Sequence, residues 1–161
     1  MGNNKYTLAW YDRALKRSFD FSVALIGLAF VWPIILICAS IAYFDTKSNG
    51  FFVQQRVGLN GRLFKVIKIK TMRSTSFGST ITTSNDSRIT KTGAFFRKTK
   101  LDELPQLINV VLGQMSFVGP RPDVPGYADN LVGNDKSVLN IRPGITGPAT
   151  IKYRNEEDIL A

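Results

Sequence analysis

Residues 21–44 read FSVALIGLAFVWPIILICASIAYF, and the fold turns on how this run meets a membrane. It holds 24 residues without a charge, and about 20 apolar helical residues cross a bilayer core. It is too long for a signal peptide and lacks a small-x-small cleavage site. A buried core helix is disfavoured, because the run is apolar on every side in a chain of only 161 residues. Pro33 lies near its middle, where the ring removes a backbone donor and clashes with the preceding turn. A break there leaves two arms of about 12 residues, roughly 18 Å each. Neither arm covers a core of about 30 Å. Basic residues stand on both flanks: Lys5, Arg13, Lys16 and Arg17 before, and Lys47, Arg56, Arg62, Lys65, Lys68, Lys70 and Arg73 after. A spanning helix would place one cluster outside, against the positive-inside bias. The expectation is therefore a re-entrant hairpin, helix-break-helix, bent at Pro33, in preference to a kinked spanning helix.

Working outward, residues 5–20 (KYTLAWYDRALKRSFD) are basic and mildly amphipathic, with Tyr6, Trp10 and Tyr11 suited to a headgroup interface. The chain carries 21 Lys+Arg against 12 Asp+Glu, no His and one Cys. That excludes Ser-His-Asp and Cys-His catalysis, histidine metal sites, internal disulfides and zinc-thiolate clusters. Residues 1–100 hold 16 basic and 4 acidic side chains, whereas residues 101–161 hold 5 and 8. The basic part predicts an anionic partner: a phospholipid surface, a phosphorylated substrate or nucleic acid.

From Asp45 onward the composition turns polar. Phe51-Phe52-Val53 and residues 63–70 read as strands flanking a turn at 58–61, with Phe64, Val66 and Lys68 on one face. Residues 74–87 read as a mobile, Ser/Thr-rich surface loop. Ile89–Lys98 predicts a short helix with Phe95 and Phe96 inward. A second helix is expected to begin between Lys100 and Leu104 and stop near Gly113, with Leu101, Leu104, Ile108 and Val111 as its apolar stripe.

Asp102 and Glu103 fall off that stripe at the helix start. Acidic residues there complement the helix dipole, and Thr99 with Asp102 approximates a capping box, so a structural role suffices for the pair alone. Their setting points further: two adjacent carboxylates follow Arg97, Lys98 and Lys100 in a chain without His to do acid/base work. Pro120 and Pro122 hold Arg121 with little backbone freedom, as suits bidentate phosphate recognition, although without further context a rigid turn bearing a solvated Arg is the favoured reading. Residues 142–148 (RPGITGP) form a second stiff loop.

The segments KRSFDFSVALIGL, VQQRVGLNGRLFKVIKIKTM, DSRITKTGAFFRKTKLDELPQLINVVLGQMSFVGPRP and IRPGITGPA together resemble the bacterial sugar transferases, the small monotopic polyprenyl-phosphate phosphoglycosyl transferases, over about residues 16–155. The resemblance implies transfer of a sugar-1-phosphate from a UDP-sugar donor to a polyprenol phosphate acceptor, usually undecaprenyl phosphate, with release of UMP. It implies Mg²⁺ held by Asp102 and Glu103, and a covalent phosphosugar on Asp102. Arg121 with Pro120 and Pro122, Arg97 and Lys68 correspond to the substrate-binding positions, and Pro33 to the membrane break. The implied location is the cytoplasmic face of the bacterial inner membrane, in contact with phospholipid and not nucleic acid, with a homodimer left open.

The expected fold is α+β and mostly helical. A basic interfacial helix (1–20) and the re-entrant hairpin (21–44) pack on a small catalytic domain (45–161) with a short β-hairpin and interfacial amphipathic helices. Three departures stand out. Trp32 replaces the Ser that many members place before the Pro, which implies a shallower or differently stabilised break. Lys70 stands where many members have Arg. The chain stops at Ala161, where the resemblance implies further residues, so a C-terminally truncated domain is expected. The competing readings are a non-catalytic, membrane-anchored module that binds anionic lipid or nucleic acid, and an assembly subunit that has lost catalysis.

Overall fold

The computed structural model describes residues 10–73 and 86–147. Its spine is one 37-residue helix, α1 (Trp10–Thr46), about 55 Å long. The expected break at Pro33 is not found: the helix runs through it, and the interfacial and apolar segments are one element. Pro33 still removes the bond to the Ala29 carbonyl. Packing on either side offsets that loss. Asp20, Ala24, Ile35, Cys38, Ala39, Ala42 and Thr46 are buried along one stripe, with Leu28 and Val31 packed between them. Small residues dominate this stripe, so the helix backbone lies close to the domain beneath it. The opposite face is apolar and bare: Phe19, Ile26, Phe30, Trp32, Ile37 and Phe44 are all exposed. Within the described residues, α1 is the single helix long and apolar enough to cross a membrane.

Lys47, in the left-handed region at φ 51°, ends α1 and turns the chain back into β1 (Phe51–Val57). β1 pairs antiparallel with β2 (Leu63–Ile69), Phe52 opposite Lys68 and Arg56 opposite Phe64. Asn60 and Gly61, both at positive φ, close the turn between them. The alternation is imperfect, as expected: Phe64 and Val66 are buried and Lys68 shares their face, but Ile69 is buried on the other face.

The second edge of β2 is covered by α3 (Gln106–Val111) through one side chain. Asn109, fully buried, donates from Nδ2 to the Lys65 carbonyl (2.7 Å) and to Gln114 Oε1 (2.7 Å), and its Oδ1 accepts from the Ile67 N–H (3.2 Å). An amide is the side chain that can serve both a strand N–H and a strand carbonyl at such an edge. α2 (Lys91–Thr99) begins at the Thr90 cap, whose Oγ1 accepts from the Gly93 N–H, and buries Phe96 against α1 and Ile69. Phe95, expected inward, is exposed.

A short parallel pair, unforeseen from sequence, joins β3 (Ser116–Val118) to β4 (Gly144–Thr146). It brings the two proline-rich loops together. Gly119 and Gly144 permit the approach, since a Cβ on Gly119 would overlap the Arg142 carbonyl. Ser116 ties this pair to α1: its Oγ donates to Asp20 Oδ2 (2.8 Å) and accepts from Lys16, which also reaches Asp20 Oδ2 at 2.9 Å. The mixed helix and small-sheet architecture is thus as expected. The 74–87 loop falls largely, and the chain end wholly, outside the described residues.

Asn109→Ala would strand a strand donor and a strand acceptor in the interior, at about 1–3 kcal/mol for each unsatisfied group. We expect a loss of about 2–4 kcal/mol in the unfolding free energy read from denaturant midpoints. A loss below about 0.5 kcal/mol would show that the β2 edge does not need this side chain.

Candidate active site

The site forms where α2 ends. Lys100 adopts the left-handed conformation (φ 58°), and its N–H caps the helix on the Arg97 and Phe96 carbonyls. A 3-10 turn, Leu101–Glu103, follows before α3 starts. This junction rotates the helical phase. Leu101 and Leu104 are only half-buried, against the α1 cluster, while the deeply buried residues are Asp102, Pro105, Gln106, Asn109 and Val110. Asp102 therefore does not lie off the buried face, as the continuous-helix reading had it, but on it.

The consequences are electrostatic. Asp102 is 8 % exposed. Burial pushes its carboxyl up from 3.8 to about 6, with the Glu103 charge adding to the rise and Lys68, Lys100 and Arg97 opposing it. Among the described residues, its Oδ1 is one of two buried side-chain oxygens without a hydrogen-bond partner. Glu103 points to Lys68, whose Nζ donates to Glu103 Oε1 at 3.0 Å. Arg97 is held by Thr71 Oγ1 (3.0 Å, from Nε) and the Met72 sulfur (3.1 Å). Four of the expected site residues, Asp102, Glu103, Lys68 and Arg97, thus converge, and Lys100 joins them.

Arg121 lies in a different cluster. It acts on Arg56, whose guanidinium is pushed below its usual value first by burial and then by Arg121, with Asp123 opposing. Arg56 donates to the Pro122 carbonyl (3.0 Å) and to Gln54 Oε1 (2.7 Å). The Pro120 carbonyl accepts from the Gly144 N–H (2.9 Å), so the loop is pinned on both sides of Arg121. Arg56 and Lys68 lie toward opposite ends of the β-hairpin. Four residue steps along a strand are roughly 13 Å. The site therefore has two cationic poles on one hairpin: Lys68 beside the carboxylates, and Arg56 with Arg121 near the turn. Sequence reading missed Arg56 as a site residue and counted it only in the basic flank. Its one signal is its place in a strand otherwise free of charge.

Among the described residues no group of three or more His, Cys, Asp or Glu side chains could cage a metal. The pair Asp102–Glu103 does fit a hard cation that takes most of its ligands from phosphates and water, as Mg²⁺ does. The unbonded Asp102 oxygen is the observation that favours it.

The bacterial sugar transferase family model matches residues 11–160. Aligned regions are 37% identical over 159 residues to the UDP-glucose:undecaprenyl-phosphate glucose-1-phosphate transferase of Escherichia coli, covering 95% of this chain and 34% of that protein. Identity is 40% over 153 residues to the protein of the same name from Xanthomonas campestris, covering 91% and 32%. It is 34% over 158 residues to the exopolysaccharide production protein ExoY of Sinorhizobium fredii, covering 88% and 70%. The chain thus spans about a third of the first two relatives and about two thirds of the third.

The raised Asp102 carboxyl has a signed effect on stability. Between about pH 4 and 6 the folded chain keeps a proton that the unfolded chain has lost, so stability falls as pH rises through this window, and above about 6 the full cost is in place. Asp102→Asn removes that cost. We expect it to raise the metal-free unfolding free energy by about 3 kcal/mol at pH 7.5 and by little at pH 4, read from denaturant midpoints. Equal stability of the two proteins at pH 7.5 would refute the burial argument.

Proposed function

Because the chain belongs to the bacterial sugar transferase family, we propose that it transfers a sugar-1-phosphate from a UDP-sugar to a polyprenol phosphate, undecaprenyl phosphate in the bacterial membrane. The observation that carries this reading is the buried Asp102 carboxylate, with an unbonded oxygen, amid Lys68, Arg97 and Lys100. In the first step an Asp102 oxygen attacks the sugar-bearing phosphorus, the phosphoanhydride bond breaks, and UMP leaves with the bonding electrons. In the second, a phosphate oxygen of the polyprenol attacks the same phosphorus and the acyl-phosphate bond breaks, restoring the carboxylate. One anhydride is lost and one gained, so the exchange is nearly balanced in energy. A covalent intermediate lets a soluble and a lipid-borne substrate use one centre in turn.

The residues divide the work. Burial keeps competing water from Asp102. Lys68 holds Glu103 in place and, with Arg97 and Lys100, offsets negative charge as the phosphate approaches the carboxylate. Arg121, braced by Pro120 and Pro122, and Arg56 behind it would grip a second anionic group of the donor near the hairpin turn. Mg²⁺, held by Asp102 and Glu103, would supply charge neutralisation between the carboxylate and the phosphates.

We further propose attachment from one side, at the cytoplasmic face of the inner membrane; the way α1 is held supports the one-sided part of this reading. Its first half binds the domain through Arg17 and Asp20, and its second through Ile35, Cys38, Ala39 and Ala42. A helix joined to one polar domain along its length cannot stand across a bilayer with that domain outside. Its bare apolar face suits the interface instead.

Full-length protein, Mg²⁺, polyprenol phosphate and a panel of UDP-sugars should release UMP with at least one sugar. Asp102→Asn should lower release by at least about 10³-fold, Arg121→Lys by about 10–100-fold, and chelation should abolish it. With donor alone, mass spectrometry should find a phosphosugar adduct on Asp102; an adduct elsewhere, or no UMP from any donor, would sink the reading. Single cysteines at positions 13 and 98, with Cys38 replaced by Ala, should label from the same side of sealed vesicles. Labelling from opposite sides would refute the one-sided attachment.

A further inference from the structure

A cleft of about 310 Å³ lies at the far end of α3 from Asp102, between the hairpin turn and the segment after that helix. Its walls include Arg62, Arg142, Leu63, Leu112 and Gly113, and among the described residues none that lines it is acidic. The ten residue steps from Asp102 to Leu112, if helical throughout, would measure about 15 Å, so the cleft is separate from the carboxylates.

Its cations are gathered without matching anions. Arg142 donates from Nε to the Gly113 carbonyl (3.0 Å). Arg17 of α1 donates to the Val110 carbonyl (2.6 Å) and the Val111 carbonyl (2.9 Å), and its guanidinium is close enough to Arg142 for the two to repel. Both thus attach to the carbonyl end of α3, where cations are favoured. Asp20, the acid nearest to Arg17 in effect, is already bound to Lys16 and Ser116. Arg62 makes no side-chain ion pair with a described residue and faces the cleft. The lips are apolar: Leu63 is 51 % exposed and Leu112 64 %. An anion alone would gain nothing from those two leucines, and a neutral apolar chain nothing from the arginines. An amphiphile with a phosphate head and an acyl body gains from both.

We propose that this cleft seats the phosphate headgroup of an anionic membrane phospholipid, with Arg62 and Arg142 on the phosphate and Leu63 and Leu112 against the first acyl carbons. Gly113 lies against Arg17 on α1, so the cleft adjoins the helix that carries the bare apolar face. The seat would fix how the domain rotates about α1 at the membrane. It stands apart from the transfer reaction and uses none of the residues assigned to it.

The test uses the full chain with a polarity-sensitive dye on Leu112→Cys; Cys38 is buried and stays unlabelled. Vesicles of phosphatidylcholine with phosphatidylglycerol should shift the emission to the blue. Phosphatidylcholine alone, or inorganic phosphate at matched concentration, should not. Arg62→Gln in that background should weaken the response at least about 10-fold, against the smaller loss expected of one diffuse surface charge, with Lys98→Gln on α2 as the control. UMP release in detergent should be unchanged by Arg62→Gln, so a failure here is distinguishable from a failure of the transferase reading. An equal response to inorganic phosphate would overturn the lipid assignment in favour of a free-phosphate pocket. Equal losses from Arg62→Gln and Lys98→Gln would overturn it in favour of diffuse attraction. If Arg62→Gln failed to fold, quenching of the unsubstituted Arg62 protein's dye by brominated phosphatidylglycerol would decide, its absence counting against the seat.

Discussion

From Asp20 to Thr46 one stripe of α1 is committed to packing against the domain, and that contact organises the rest of this structure. The stripe from Asp20 to Thr46 is built of small and medium side chains, so the hairpin, α2 and α3 all pack close to the α1 backbone. Pro33 sits inside this contact and does not interrupt it, because packing on both sides holds the helical path that one lost hydrogen bond would weaken. What remains of α1 is a wide apolar surface that water disfavours and an interface accepts. The hairpin, α2 and α3 are therefore mounted directly on the long apolar helix, with no linker between them.

The site carries a second constraint, in opposition to the first. Packing stabilises the fold, yet the junction at Lys100 turns a carboxylate into the packed interior, where ionisation is disfavoured. Lys68, Lys100 and Arg97 only partly offset the cost. A folded protein that tolerates such a group, with one oxygen unbonded, holds stored electrostatic demand at one point. A cation and phosphates would meet that demand. The second pole, Arg56 with Arg121, lies toward the hairpin turn. The rigid β-hairpin thus sets the spacing between the two.

Much of this was legible in the residues. The apolar run, the hairpin with its Asn-Gly turn, the inward alternation of Phe64, Val66 and Lys68, and the pairing of carboxylates with nearby cations are all local patterns, set by periodicity and turn chemistry. The misread features each depend on contacts distant in sequence. The parallel β3–β4 pair joins residues nearly 30 apart and leaves only short, proline-flanked strands as a signal. Asn109 reads as one polar residue in an apolar helix until β2 lies beside it. The nearness of Arg121 to Arg56 is likewise visible only in the tertiary structure.

The sequence by itself determined the family, the membrane-seeking character of α1 and the gathering of cations around the Asp102–Glu103 pair, because composition, hydrophobic period and motif are properties of neighbouring residues. Only the tertiary structure decided that α1 stays one helix through Pro33, that Asp102 faces inward and that the cations divide between two poles. Those outcomes follow from which surfaces meet. A left-handed residue at position 100 shifts the helical phase of everything after it, and a lost helical hydrogen bond matters less when both flanking turns are already packed.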